Sequence, residues 1–246
     1  MGPHTPPAGS QVSARLRDVQ RLYEILARIE TKVGGKRALG EADGRMDWPE
    51  RGVYFVFEPG EERTTSGSGL RVVRVGTHGL KARSRSTLWG RLRTHRGVVR
   101  GQNEGGGNHR GSVFRLHVGT ALIRRDDWPD SVAGQWGVGQ SAEKALRDCE
   151  CPLEQAVSEH IRGMSVLWVG VDDTPGPESL RGYIERNSIA LLSNHNHQDG
   201  PIDPPSNAWL GGWAANDGIG HSGLWNINHT TEEYDPKFLE VLEQHA

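Results

Sequence analysis

The sequence predicts an α+β fold, in which a small antiparallel three-stranded sheet is flanked by helices and carries a large insertion and an N-terminal helix. Three observations predict it. Two short strand-like runs, 52–57 and 70–75, are separated by a turn-rich loop. A third run, 165–171, is almost entirely apolar, as in a buried strand. Helical patterns lie before, between and after these runs, and packing helices against a small sheet is the natural arrangement.

The expected helices follow from spacing and from helix-start and helix-stop residues. Residues 11–33 place apolar side chains at helical spacing and are followed by a Gly-Gly pair. A second helix carries Arg91 and His95, which share a face because they are four residues apart. Pro177 suits the first turn of a helix that runs through Leu192. Residues 236–244 form a short helix at the end of the sequence.

One domain, or one domain with insertions, is expected for 246 residues. We expect an N-terminal tail and helix over 1–46 and a single α+β domain over 47–246. That domain contains an insertion, 97–163, and a C-terminal extension, 194–246. Within the insertion, residues 113–125 fit a strand or a helix equally well.

The distribution of charge indicates a polyanionic partner. The whole chain has a net charge of −2. Between Arg71 and Arg125, however, twelve Arg and one Lys stand against a single acid, Glu104, which gives +12 there and −14 elsewhere. Most of the basic residues are Arg, whose planar guanidinium suits phosphate groups and base edges. We therefore expect a face that binds nucleic acid, and the alternative is a solvated basic surface without a partner.

Composition argues against several other classes of protein. The apolar runs are too short to span a bilayer, and the Pro/Gly-rich residues 1–10 do not resemble a secretion signal. Cys149 and Cys151 are too close for a relaxed disulfide and make a poor metal cage. A metabolic or zinc enzyme has little support, since no phosphate loop, dinucleotide fingerprint or nucleophile elbow is present. We expect a reduced, cytoplasmic protein without membrane attachment. The oligomeric state stays open, with a homodimer as one alternative.

The order of four short motifs resembles the GIY-YIG nuclease superfamily. Gly52-Val53-Tyr54 stands where that family has its first tripeptide, and Arg74-Val75-Gly76 stands where it has the second. Arg91 and His95 match the Arg and the His on its first core helix. The resemblance covers about residues 52–196 once the insertion is removed.

Family order implies a metal-binding Glu on the helix after the third strand. Glu185 lies on that helix, whereas Glu159, the competing candidate, precedes the third strand. We therefore prefer Glu185.

The resemblance implies a metal-dependent DNA endonuclease, in a setting such as restriction or phage defence. Glu185 is implied as the ligand of Mg²⁺ or Mn²⁺, because a carboxylate is a hard oxygen donor. Arg91 would bind the phosphate in the transition state. Tyr54 would position or deprotonate the attacking water, with a nearby cation lowering its pKa. His95, as a group that titrates near neutral pH, would relay the proton or contact the substrate.

The second tripeptide departs from the family, because Arg74 stands where its Tyr is expected. An Arg cannot accept a proton, so Arg74 would bind phosphate or lower the pKa of Tyr54, and His78 would supply the missing base. This departure keeps open the alternative of a catalytically inactive nucleic-acid-binding protein on the same fold. The residues expected to contact DNA are Arg83, Arg85, Arg93, Arg96, Arg110 and Asn194.

The C-terminal extension has an unusual segment over 222–229, rich in aromatic and amide side chains. These side chains would either stack on bases or cover the core. The sequence favours the structural role slightly.

Overall fold

The structure, a computed structural model, describes residues 13–101, 104–195 and 200–246. The predicted α+β class is confirmed, with an antiparallel sheet of order β1-β4-β2-β3 in these residues. The sheet has four strands rather than three, because a two-residue strand pairs with the edge of the third predicted strand. The strands are β1 (Arg37–Ala38), β2 (Gly52–Glu62), β3 (Leu70–Gly76) and β4 (Ser165–Gly170).

The helices occur close to where apolar spacing predicts them. The first helix is capped at its N-terminus by Ser13, whose side chain accepts a hydrogen bond from the Leu16 N–H. It is followed at its C-terminus by Gly34, which adopts the left-handed conformation. Residues 113–125, which fitted either structure, are helical. Among the residues described, none of the helices has the length and apolarity that a membrane span requires. The helices are α1 (Ala14–Val33), α2 (Leu88–Arg96), α3 (Val113–Arg125), α4 (Asp130–Ala133), α5 (Lys144–Arg162), α6 (Leu180–Leu192), α7 (Asp217–Ser222) and α8 (Phe238–His245).

The sheet separates two hydrophobic cores, because successive side chains on a strand point to opposite faces. Val53 and Phe55 of β2 pack with α1, α6 and α8 on one face. Tyr54 and Val56 pack with α2, α3 and α5 on the other. Tyr54 and helix α6 therefore lie on opposite faces, and an α6 side chain meets the Tyr54 side only at an end of the sheet.

The free edge of β3 is covered by the C-terminal extension. The Trp225 N–H donates to the Val73 carbonyl at 2.7 Å. The side-chain amide of Asn226 accepts from the Val75 N–H at 3.0 Å and donates to the Val75 carbonyl at 2.8 Å, as a paired strand would. Trp225 is fully buried. This part of the 222–229 segment therefore protects a sheet edge, and the structural role prevails over base stacking for Trp225.

A buried ion pair within the insertion also contacts helix α2. Arg115 of α3 is 0% exposed and donates from Nε to Oε2 of Glu154 on α5 at 3.0 Å. Its Nη1 donates to the carbonyl of His95 on α2 at 2.9 Å. Burial alone would raise the pKa of Glu154, but hydrogen bonds from His109 and the charge of Arg115 together hold this pKa below its ordinary value. The pair thus ties α2, α3 and α5 together.

Replacing Glu154 by Gln is expected to lower the free energy of unfolding by about 3–5 kcal/mol, because the buried Arg115 charge loses its partner. Denaturant unfolding near neutral pH measures this cost. The matched control is Glu159→Gln, an exposed position on the same helix. Since the folded-state pKa of Glu154 is depressed, its stabilisation is present above the pKa of the unfolded chain and is lost as pH falls through the folded value. The difference between wild type and variant should therefore shrink in acid.

Candidate active site

The candidate site lies where β2 begins and β3 ends. Tyr54 stands directly opposite Gly76 in the β2–β3 ladder. Its ring crosses Gly76 so closely that a Cβ built there would lie 2.3 Å from the Tyr54 hydroxyl oxygen. Any larger residue at position 76 would displace the tyrosine. Gly76, in the second tripeptide, is therefore required for Tyr54, in the first tripeptide, to occupy this position.

Tyr54 belongs to a buried chain of polar contacts that enters the insertion. Its hydroxyl oxygen lies 2.8 Å from Nε2 of His95. Nδ1 of the same ring lies 2.7 Å from Oγ of Ser112. The three residues are 0%, 1% and 1% exposed, respectively. Helix α2, which presents His95, thus fixes the tyrosine hydroxyl, and Ser112 fixes the histidine.

His95 is uncharged near neutral pH. Burial lowers its pKa well below the ordinary value, and the nearby charges of Arg91, Arg74 and Arg115 lower this pKa further. The structure therefore differs from the expectation that His95 titrates near neutral pH. A neutral imidazole in this setting holds the tyrosine hydroxyl by a hydrogen bond and has a low affinity for an additional proton.

Glu185 on α6 reaches the same end of the sheet. Its Oε1 accepts from the Thr77 N–H at 3.0 Å, directly after β3, and the Thr77 hydroxyl donates to the Gly52 carbonyl at 2.9 Å. Oε2 of Glu185 has no hydrogen-bond partner among the described residues. Burial raises the pKa of Glu185, and Arg74, the Thr77 N–H, His229 and Arg91 oppose that rise. The carboxylate is partly exposed and borders a cleft of about 650 Å³.

Two arginines connect the tyrosine–histidine pair with the carboxylate. Arg74 donates from Nη1 to the Trp225 carbonyl at 2.8 Å, and its guanidinium lies 4.8 Å from the Phe114 ring. Its buried Nε has no partner among the described residues. The charges of Arg74 and Arg91 lower the pKa of both His95 and Glu185. The charges of Arg74 and Arg91 thus act on His95, on one face of the sheet, and on Glu185, from the helix on the other face.

His78 is buried beside this site, but it is a weak base. Its Nδ1 lies 3.0 Å from the Ser86 carbonyl oxygen. Burial, followed by the charge of Arg181, lowers the pKa of His78 to about 4. A group with that pKa is neutral at physiological pH and accepts a proton poorly. This argues against the expectation that His78 supplies the general base.

Three of the arginines expected to contact DNA are free to do so. The side chains of Arg83, Arg85 and Arg93 are exposed, and none of them makes an ion pair or hydrogen bond with the described residues. Arg93 also borders a groove of about 780 Å³ between α2 and α5, to which Arg147 contributes positive charge, while Lys144 in the same lining is paired with Asp148 at 2.7 Å. This surface has the charge that a phosphate backbone requires.

The other three expected DNA contacts are engaged within the protein. Arg96 donates to a backbone carbonyl, and its guanidinium lies 4.8 Å from the Trp89 ring. Arg110 binds both oxygens of Glu150, at 2.7 and 2.8 Å. The side-chain amide of Asn194 accepts a hydrogen bond from the Ile202 N–H and donates one to the Ile202 carbonyl. The structure therefore gives these side chains structural roles.

Two residues near the site were missed by sequence reasoning. Ser112 carries no motif, and only its contact with His95 reveals it. His229, at the end of the 222–229 segment, carries no motif either, yet it borders the cleft beside Glu185, with Nδ1 2.7 Å from Oε1 of Glu232. Glu159, the competing carboxylate, is exposed on α5 and takes no part in these contacts.

The donor set at Glu185 suits a largely hydrated hard cation. Across residues 13–101, 104–195 and 200–246, no three His, Cys, Asp or Glu side chains cluster as a metal cage. Mg²⁺ characteristically keeps several waters and is held by one or two carboxylates together with a substrate phosphate. The free Oε2 of Glu185 and the adjoining cleft fit that mode of binding.

Comparison with known proteins identifies a protein family. A protein-family model described as "GIY-YIG domain" matches residues 13–246, which is nearly the whole chain. No curated protein and no solved structure gives a significant match.

Proposed function

Because the chain belongs to the GIY-YIG domain family, whose members are generally endonucleases, we propose that it is a divalent-metal-dependent endonuclease that hydrolyses DNA phosphodiester bonds. One observation carries the proposal: Tyr54, which contacts His95, stands opposite Gly76 at the end of β3, and Glu185 accepts from the N–H of the next residue, Thr77, so that all three lie at one end of the sheet. This arrangement supports a site in which Tyr54 would be the base, Arg74 and Arg91 the cations, and Glu185 the metal ligand.

Glu185 is the residue that would hold Mg²⁺ or Mn²⁺, through the oxygen that Thr77 leaves free. When bound, such a cation stabilises negative charge on the phosphoryl oxygens. The hydrogen bond from Thr77 fixes the carboxylate against the end of β3, so that its orientation does not depend on a ligand.

Arg91 would bind the phosphate as charge develops in the transition state. It is only partly buried, and the one hydrogen bond described for its side chain, from Nη1 to the Gly111 carbonyl, is long at 3.4 Å. A bond of that length is easily exchanged for a charge-assisted bond to phosphate. Arg74 is held more firmly and supplies fixed positive charge near the same position.

Tyr54 would orient and deprotonate the attacking water. Its hydroxyl oxygen is held 2.8 Å from Nε2 of His95, which fixes its direction. The pKa of His78, lowered to about 4, argues against His78 in that role and supports Tyr54 for it.

The test is to incubate the purified protein with single- and double-stranded DNA and RNA, in Mg²⁺, in Mn²⁺ and in EDTA. Metal-dependent cleavage of DNA supports the proposal, and cleavage of RNA alone would reassign the substrate. Tight binding without cleavage in every condition would favour the inactive nucleic-acid-binding protein, which Arg74 in place of the family Tyr suggests. In an active nuclease the insertion, 97–163, would shape specificity, which suits a role in restriction or phage defence.

Removing Arg85 and Arg93 together is expected to weaken DNA binding and its dependence on salt. Each phosphate contact contributes about 0.9 to the slope of log K against log salt, so the double Ala variant should lose about two units. Fluorescence anisotropy of a labelled duplex at several salt concentrations measures this slope. The control is Arg28→Ala, the same type of change on α1, where Arg28 pairs with Glu243. An unchanged slope in the double variant would remove this surface from the proposed interface.

A further inference from the structure

Helix α6 holds the chain directly after β3 with two of its side chains. Arg181 and Glu185 share a face of the helix because they are four residues apart. Oε1 of Glu185 accepts from the Thr77 N–H at 3.0 Å, and Nη1 of Arg181 donates to the carbonyl of the next residue, His78, at 2.5 Å. The direction of the second bond is fixed, because a guanidinium only donates and a carbonyl only accepts. The two bonds therefore hold consecutive residues of one segment.

Arg181 is itself held in place by Asp173, which lies between β4 and α6. The Arg181 side chain is 0% exposed, and its Nε donates to Oδ1 of Asp173. Oδ2 of Asp173 accepts from the Arg181 N–H at 3.2 Å and from the Ser179 hydroxyl at 2.5 Å. One carboxylate thus fixes both the start of α6 and the guanidinium. A guanidinium bonded at Nε and at Nη1 to acceptors on two segments has little freedom to turn.

The connection between β3 and α2 is exposed beyond His78. Residues 79–87 are largely exposed and include two of the arginines expected to contact DNA. Movement of this stretch is transmitted along the backbone to Thr77 unless an anchor lies between them. The bond from Arg181 to the His78 carbonyl lies at that place. It therefore separates the Glu185 contact from movement of the exposed stretch.

We propose that Arg181, fixed by Asp173, is a positioning residue that keeps Thr77 bonded to Glu185. While Oε1 of Glu185 is bonded to the Thr77 N–H, the carboxylate keeps one orientation and Oε2 stays available to a cation. The role in cation binding rests on the proposed nuclease function, whereas the Thr77–Glu185 contact does not.

A purely structural role for Arg181 is the alternative, and a second buried arginine provides the control. Arg71, at the opposite end of β3 from Thr77, is 3% exposed. Its Nε donates to Oε2 of Glu61 at 2.8 Å, and its Nη1 donates to the Gly223 carbonyl at 2.6 Å. Arg71 thus also bonds one carboxylate and one carbonyl. In both places Lys keeps the positive charge but lacks the planar fork that reaches two acceptors.

Amide hydrogen exchange in the metal-free protein tests the positioning without any measurement of cleavage. The reporter is the Thr77 amide, and the reference is the Asp235 amide, which donates to Oδ1 of Asn187 on the same helix at 2.7 Å. Arg181→Lys should raise the exchange rate of Thr77 about tenfold relative to that of Asp235, because the contact opens locally. Arg71→Lys should leave the ratio of the two rates unchanged. An unchanged ratio in Arg181→Lys, or the same change in both variants, would overturn the proposal.

The dependence of cleavage on Mg²⁺ tests the consequence. In Arg181→Lys, the Mg²⁺ concentration that gives half of the maximal rate should rise about tenfold to a hundredfold, the usual loss when a partner that orients a metal ligand is removed. In Arg71→Lys, that concentration should stay at the wild-type value, whatever the effect on stability. Equal Mg²⁺ requirements in the two variants would mean that Arg181 only stabilises the fold, contrary to the proposal.

Asp173→Asn keeps the proposal testable if Arg181→Lys does not fold. The amide retains an oxygen that accepts from the Ser179 hydroxyl but loses the charge that holds Arg181, so the exchange rate of Thr77 should again rise relative to that of Asp235. An unchanged ratio in this variant would contradict the assignment. A wild-type protein that does not cleave DNA would instead contradict the proposed function, and the exchange measurement would still decide the role of Arg181.

Discussion

Replacing Glu185 by Gln is expected to lower the single-turnover rate of DNA cleavage by about a thousandfold. The amide oxygen can still accept from the Thr77 N–H, so the local fold is retained. A neutral amide, however, loses the charge with which the free carboxylate oxygen would hold the cation. Cleavage of an end-labelled duplex with enzyme in excess measures the rate.

The control for Glu185→Gln is Glu159→Gln, which makes the same chemical change at the carboxylate that sequence reasoning ranked second. Glu159 is exposed and outside the site, so its variant should cleave at the wild-type rate. The opposite result, with loss of cleavage in Glu159→Gln alone, would reassign the metal ligand.

Replacing Arg91 by Ala is expected to slow cleavage by about a hundredfold to a thousandfold, with DNA affinity changed much less. The side chain is proposed to act on charge that develops in the transition state, and its long hydrogen bond to the Gly111 carbonyl makes a small contribution to stability. Arg91→Lys keeps the charge but not the fork, and its rate should lie between those of wild type and Arg91→Ala.

Arg93→Ala is the matched control for Arg91→Ala, because it removes an exposed arginine from the same helix. The two variants should separate binding from chemistry: Arg93→Ala weakens affinity, and Arg91→Ala slows the bound complex. Equal effects of both on affinity alone would mean that Arg91 is an ordinary phosphate contact.

The fold could be predicted where the signal is local. Alternation in β2 and apolar spacing in α1 are properties of short segments. Helix α1 appears close to its expected bounds, and β2 begins where predicted but continues to Glu62, into the segment predicted as a loop. Strand β1 has only two residues, too few for any periodicity. Residues 113–125 carry apolar positions compatible with either structure, and their helix is held by Arg115, whose partner Glu154 lies 39 residues away.

The candidate site shows the same limit. Motif order predicts Tyr54 and Glu185 as site residues, and the structure brings the two to one end of the sheet. Charge clustering could not reveal that Arg110 is paired, because Glu150 lies 40 residues away. Ser112 and His229 have no sequence signal, since each joins the site only after distant segments pack together. The sequence does not reveal which residues, far apart along the chain, become hydrogen-bond partners in the fold.

The most direct test of a metal-dependent nuclease centred on Glu185 is a time course of duplex DNA cleavage in Mg²⁺. The samples run in parallel are wild type, wild type with EDTA, Arg91→Ala, Glu185→Gln and the control Arg93→Ala. We predict that wild type and, at saturating protein, Arg93→Ala cleave, while Arg91→Ala, Glu185→Gln and the EDTA sample do not cleave appreciably. Cleavage that persists in Glu185→Gln or in EDTA would contradict a metal-dependent nuclease centred on Glu185.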